Sequence, residues 1–194
     1  MYRAKQARYG TAFYLRPMLP FHSLSTPRLL LRPLTAADAP TVLFLRSDPG
    51  TMRYIGRDPL QTLAEAEELI AFWNGLVETD AAVTWGLARP EAPAALIGTI
   101  CLWNLQAAHR QGEIGYSLHP DSRGQGLMGE AVEAAAAFGF AALNLHRIEA
   151  RLHPDNAASA RLLARHGFER EGLLRESFFF NGAFSDTLVC ARLE

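Results

Sequence analysis

Apolar residues recur at two different periods along this 194-residue chain, and the changes of period mark out its elements. The run RLLLR predicts a strand at about 28–33, and Asp38 is placed to cap a helix over 39–47. Leu63, Ala66, Leu69, Ile70, Trp73, Leu76 and Val77 return at helical spacing, so a second helix starts at Gln61 or Thr62. Residues 84–89 and 95–104 read as adjoining strands around the turn-rich 90–94, with 113–118 as a third. The segment 127–143 is a central helix in which Ala131, Ala134, Ala135 and Ala137 favour helix and permit close approach to a sheet. A strand over 146–153, a helix over 157–166 stopped by Gly167, and a hairpin of 173–180 and 184–193 turned at Asn181-Gly182 complete the pattern. The result is a single α/β domain on a mixed sheet, because the paired late strands interrupt the alternation of a wholly parallel one.

The most chemically pointed stretch is LHPDSRGQGLMG, residues 118–129, where a strand passes through a glycine-dense turn into the central helix. Glycine lets backbone N–H groups converge on an anion, and the helix that follows adds unpaired N–H groups and the positive end of its dipole. A phosphate-bearing cofactor is expected there, held mainly by amides, with Arg123 adding positive charge; tight packing accounts for the glycines equally well. The segment matches neither GxxxxGK[ST] nor GxGxxG, which argues against those two nucleotide loops.

Composition narrows the partners. Arg3, Lys5, Arg8 and Arg16 make residues 1–22 a basic extension, leaving 15 basic against 20 acidic side chains in 23–194. That balance speaks against a general nucleic-acid surface. The only cysteines, Cys101 and Cys190, sit in apolar runs and read as buried thiols in a reducing, cytoplasmic setting. No segment is long and apolar enough to span a membrane, and the six histidines form no zinc set.

Taken in order, STPRLLLRPLTAADA, IGTICLWN, GEIGYSLHPDSRGQGLMGEAVEAAAAFGF, LNLHRIEARLHPDNAASARLLARHGFEREGLLRESFFFNG and FSDTLVCARL resemble the GCN5-related N-acetyltransferase superfamily, especially its RimJ/RimL-like ribosomal-protein alanine acetyltransferases. The resemblance covers nearly all of 25–193. It implies an acyl-CoA N-acyltransferase fold with a central cofactor-binding helix, acetyl-CoA as acyl donor, and the N-terminal amine of a protein as acceptor, an alanine on a ribosomal protein. A small-molecule amine, or CoA binding without catalysis, are the other functions it leaves open. It seats the pyrophosphate on Arg123, Gly124, Gln125, Gly126, Leu127, Met128 and Gly129, and the pantetheine arm beside Ser117, Leu118 and His119. Met128 stands where relatives usually carry Gly or Ala, which leaves recognition by the backbone intact. Asn156 would hold the cofactor amide as well as cap the helix after it, and Ser159 would face the sulfur and protonate the leaving thiolate. RimL-like relatives place a Glu where this chain has Phe178, so the base expected here is Glu113, at the start of the strand before the loop. Tyr116, Phe178, Phe179 and Phe180 would line the acyl and acceptor cleft.

Overall fold

The alternating segments pair nearly in order of sequence. In a computed structural model that describes residues 22–194, β1 (Leu24–Ser25) and β2 (Leu30–Arg32) form a short antiparallel pair. β3 (Val83–Arg89), β4 (Ala92–Gln106) and β5 (Gln111–Leu118) continue the antiparallel run. β6 (Arg147–Leu152) joins β5 in parallel, and β7 (Glu169–Phe180) and β8 (Ala183–Leu193) finish an eight-stranded sheet in the order β1-β2-β3-β4-β5-β6-β8-β7. The basic extension, apart from His22, lies outside the described residues.

Helices cover both faces. α4 (Leu127–Ala141) and α5 (Ala157–Arg165) share one face, where Ala131, Val132, Ala135 and Phe138 meet Trp85, Ile100, Ile114 and Ile148 in the main core. α1 (Ala39–Leu45) and α3 (Leu63–Glu78) hold the other face at the N-terminal end of the sheet, burying Leu34, Val42, Ala66, Ile70 and Leu96. The two early helices thus flank one end of the sheet. Thr62 is the cap of α3: its hydroxyl accepts from Glu65 N at 3.2 Å while the Glu65 carboxylate accepts from Thr62 N.

Three local differences have physical causes, and the expected Asn181-Gly182 turn forms. Asp38 precedes α1 but its carboxylate does not cap it; it is taken by the Arg32 guanidinium and Thr35 N. β1 and the four-residue α2 (Pro49–Met52) are too short to show a period. β7 begins at Glu169, four residues before its expected start, because an exposed edge strand needs no apolar alternation. Asn181 and Gly182 both take positive φ, 48° and 76°, as a two-residue hairpin turn requires.

The feature that makes a site is the junction of β5 and β6. Their parallel pairing couples Gln111 to Arg147, Gly112 to Ile148 and Glu113 to Glu149, and stops there. Beyond it β5 stays with β4 and β6 stays with β8, so the sheet opens as a wedge with its apex at Glu113 and Glu149.

Candidate active site

Past the apex, alternate residues of 114–118 turn their N–H and C=O groups toward the opening, because in an antiparallel pair every second residue faces away from its partner strand. α5 starts across this gap, capped by Asn156, whose Oδ1 accepts from Ser159 N at 3.1 Å. The Tyr116 hydroxyl and Ser159 Oγ are 2.6 Å apart, linking β5 to α5. Burial pushes the Tyr116 phenol up to about 12 against the opposing effect of its Ser159 hydrogen bond, so it keeps its proton at neutral pH.

At the end of β5 the glycine bend takes shape. Gly124 and Gly126 have φ of 74° and 75°, a conformation that glycine adopts without a Cβ penalty. No side chain caps α4, and its first ladder bond runs from Glu130 N to Gly126 O at 3.3 Å. The N–H groups of Leu127, Met128 and Gly129 therefore precede any intrahelical acceptor. The Leu127 and Met128 side chains are buried in the core, which leaves their amides as the groups they offer. Gly129 is also a packing residue, since a Cβ there would lie 2.3 Å from His166 Nε2. Arg123 turns from the bend to bond Leu118 O at 3.1 Å and Thr51 Oγ1 at 2.7 Å, and Gln125 bonds Asp121 O at 3.0 Å. His119 stacks on Phe44 and accepts from Asp121 N, and the Ser117 hydroxyl lies 3.0 Å from that of Thr99, so both side chains shape the strand end.

Glu113 projects to the opposite face from α4. Ile114, Tyr116 and Leu118 belong to the α4 core, while Glu113, Gly115 and Ser117 sit opposite Trp103, Cys101 and Thr99 on the other side of the sheet. Glu113 is 9% exposed, and Arg151 approaches it to 3.9 Å. Burial raises its pKa, Glu149 adds to the rise, and Arg151 and a hydrogen bond with Asn104 oppose it. Asn104 has φ of 49° within an irregularity of β4 that separates the Trp103–Glu113 and Gln106–Gln111 pairs. The carboxylates continue as a chain of ion pairs: Arg151 with Glu149, and Arg147 with Glu149 and Glu171.

The chain from residue 28 to 169 matches the acetyltransferase (GNAT) domain model. The chain belongs to the GNAT acetyltransferase family. It is 36% identical over 169 residues to the uncharacterized N-acetyltransferase YoaA of Bacillus subtilis, covering 87% of this chain and 95% of that protein. Its fold superposes with a TM-score of 0.76 on spermidine N-acetyltransferase from Vibrio cholerae in complex with CoA and spermine, at 27% identity, covering 87% of this chain and 96% of that one. It superposes with a TM-score of 0.74 on the ribosomal-protein-S5-alanine acetyltransferase of Vibrio fischeri, at 26% identity, covering 88% and 96%. Similarity thus extends to GNAT enzymes named for different acceptors, at nearly equal identity.

As a GNAT enzyme the protein is an acetyl-CoA-dependent acetyltransferase, and its geometry fits that donor. The bend offers uncapped helix amides, and the space a Cβ on Gly124 would enter is empty to 4 Å. The wedge leads from the bend to Glu113. α2 and the residues after it touch three walls of this candidate site: Thr51 meets Arg123, Tyr54 stacks on His153 and donates to Asp155 O, and Gly56 abuts Phe178. Sequence reasoning names Tyr116 and Ser159 separately and misses their direct bond, because no spacing rule connects positions 43 apart. It also misses the Arg147–Glu149–Arg151 chain, although the alternation of R, E and R in RIEAR places all three on one strand face.

Proposed function

We propose that this GNAT enzyme acetylates the N-terminal amine of a protein, an alanine on a ribosomal protein, through an acceptor site on the Glu113 face of the wedge. The observation that carries this reading is the charge balance of that face. Glu113, Glu149 and Glu171 are interleaved with Arg147 and Arg151, whereas a polyamine calls for carboxylates left free to meet its several ammonium groups. The adjoining hairpin presents Leu173, Leu174, Phe178, Phe179 and Phe184 to solvent, apolar surface suited to the first side chains of a peptide. Similarity does not separate the acceptors, since the enzymes named for ribosomal-protein-S5 alanine and for spermidine stand at 26% and 27% identity, so the reading rests on the charge balance and the exposed hairpin. Incubation with labelled acetyl-CoA, ribosomal proteins and a small-amine panel containing spermidine, followed by mass localisation, tests it. Label on the α-amine of one alanine-starting protein is the expected result, and label confined to small amines overturns it.

In this reading the donor supplies an activated acetyl thioester. Ser117, Leu118 and His119 contribute backbone to the pantetheine arm, and the amides of 124–129 hold the pyrophosphate. Asn156 keeps its Oδ1 on the α5 cap and offers its NH2 group to the donor's amide. Glu113 takes the proton from the incoming ammonium or amine, directly or through water. Ser159 donates its proton toward the departing sulfur, oriented by Tyr116: the protonated phenol donates to Ser159 Oγ and leaves the serine proton free to point into the wedge. Ser159→Ala is expected to lower kcat about tenfold with little change in KM for acetyl-CoA, consistent with loss of one charge-assisted hydrogen bond. Steady-state kinetics with a fixed acceptor reads this, and unchanged kcat removes the role.

A further inference from the structure

Outside the wedge, a charged group tied closely to the bend is Arg28, which no sequence motif marked as functional. It lies in the β1–β2 turn, which Thr26 closes by donating from its N to Leu29 O at 2.9 Å. From there Arg28 reaches α4 twice and the bend once: its N and Nε donate to the two carboxylate oxygens of Glu130 at 2.8 and 2.7 Å, and its Nη1 donates to Gln125 O at 2.9 Å. Thr26 Oγ1 adds a bond to Glu130 Oε1 at 2.5 Å. Arg89 holds the Gln125 side chain through its amide oxygen. Arg28 is half exposed, so the core does not depend on it for packing.

We infer that Arg28 is a positioning residue for the anionic part of the acyl donor, acting through the Gln125–Gly126 peptide and the Glu130 carboxylate. Two physical consequences follow from its bonds. In a trans peptide the C=O and N–H point in opposite directions, so holding Gln125 O fixes where Gly126 N–H faces. A flipped peptide would turn a carbonyl oxygen toward the anion in place of an N–H. Glu130, meanwhile, sits in the first turn of α4, where its charge favours the helix dipole but repels a pyrophosphate bound at the same end. Burial alone would raise the Glu130 pKa, but its bonds from Thr26 and Arg28 hold it below the usual range, so it stays ionised. Arg28 therefore supplies the compensating charge beside Glu130.

The inference rests on the bend as the pyrophosphate seat, and the test separates the two. Arg28→Ala is expected to raise KM for acetyl-CoA about tenfold or more, the loss of charge-assisted hydrogen bonds, with kcat nearly unchanged. With S-acetyl-N-acetylcysteamine, a donor that has the thioester but no pyrophosphate, the same variant should match the parent. Adding Glu130→Gln to Arg28→Ala should recover much of the lost affinity, because the uncompensated carboxylate is gone. A purely structural role would instead raise KM for both donors and lower the unfolding midpoint. Unchanged KM for acetyl-CoA in Arg28→Ala, or equal effects on both donors, overturns the inference. If Gly126→Val weakens acetyl-CoA while Arg28→Ala does not, the seat stands and the role of Arg28 falls; if neither variant weakens it, the seat falls as well.

Discussion

Glu113→Gln is expected to reduce kcat by about 10²-fold or more while leaving KM for acetyl-CoA little changed, because general base catalysis contributes about 10²–10⁴. The substitution keeps size and hydrogen-bonding capacity and removes only the ability to take a proton. Its second consequence is in the pH profile. Burial raises the carboxyl above its ordinary value, with Glu149 adding to the rise and Arg151 and Asn104 opposing it. In the parent, kcat/KM should therefore fall on the acid side through a limb set by Glu113, above the usual carboxylate range. That limb should vanish in the Gln variant, leaving the titration of the acceptor amine. Arg151→Met gives an independent check of sign: removing the cation that favours the carboxylate raises the Glu113 pKa, so the acid limb must move to higher pH. A Gln variant that retains both rate and limb would remove Glu113 from the chemistry and point to water or the acceptor itself.

What could be read from the sequence depended on how local the determining interaction is. The amides of the 123–129 bend were legible because glycine placement and a following helix encode them within one segment. α3 was legible down to its cap, since Thr62 and Glu65 satisfy one another three residues apart. The wedge is not encoded in any one segment: the register that ends at Glu113 and Glu149 pairs residues 36 apart in sequence and leaves no periodic trace. The same holds for the Tyr116–Ser159 bond and the Arg28 contacts to α4. Asp38 shows the reverse failure: its position before an apolar run looked like a cap, but a guanidinium six residues upstream in sequence competes for the same carboxylate.

That competition predicts a stability effect. Asp38 is 2% exposed, and both its oxygens are held by Arg32, at 2.8 and 2.7 Å, with Thr35 N at 2.8 Å from Oδ2. Asp38→Ala leaves a mostly buried guanidinium without its anion and should lower the unfolding free energy by about 3–5 kcal/mol at neutral pH, measured by urea denaturation. The pH dependence has a fixed sign. Burial alone would raise the Asp38 pKa, but hydrogen bonds from Arg32 and Thr35 outweigh it and hold the group below the ordinary carboxylate range. Its contribution is thus complete above the unfolded-state pKa, about 4, and is lost as pH falls through the lower folded value. The gap between parent and Asp38→Ala should narrow in acid; a gap that widens would contradict the depressed pKa. Replacing Arg32 by Met together with Asp38→Ala should restore part of the loss, since no charge is then stranded. The recovery must stop short of complete, because Arg32 also donates to Pro93 O at 2.6 Å and Pro33 O at 3.0 Å, and methionine leaves those carbonyls without that donor.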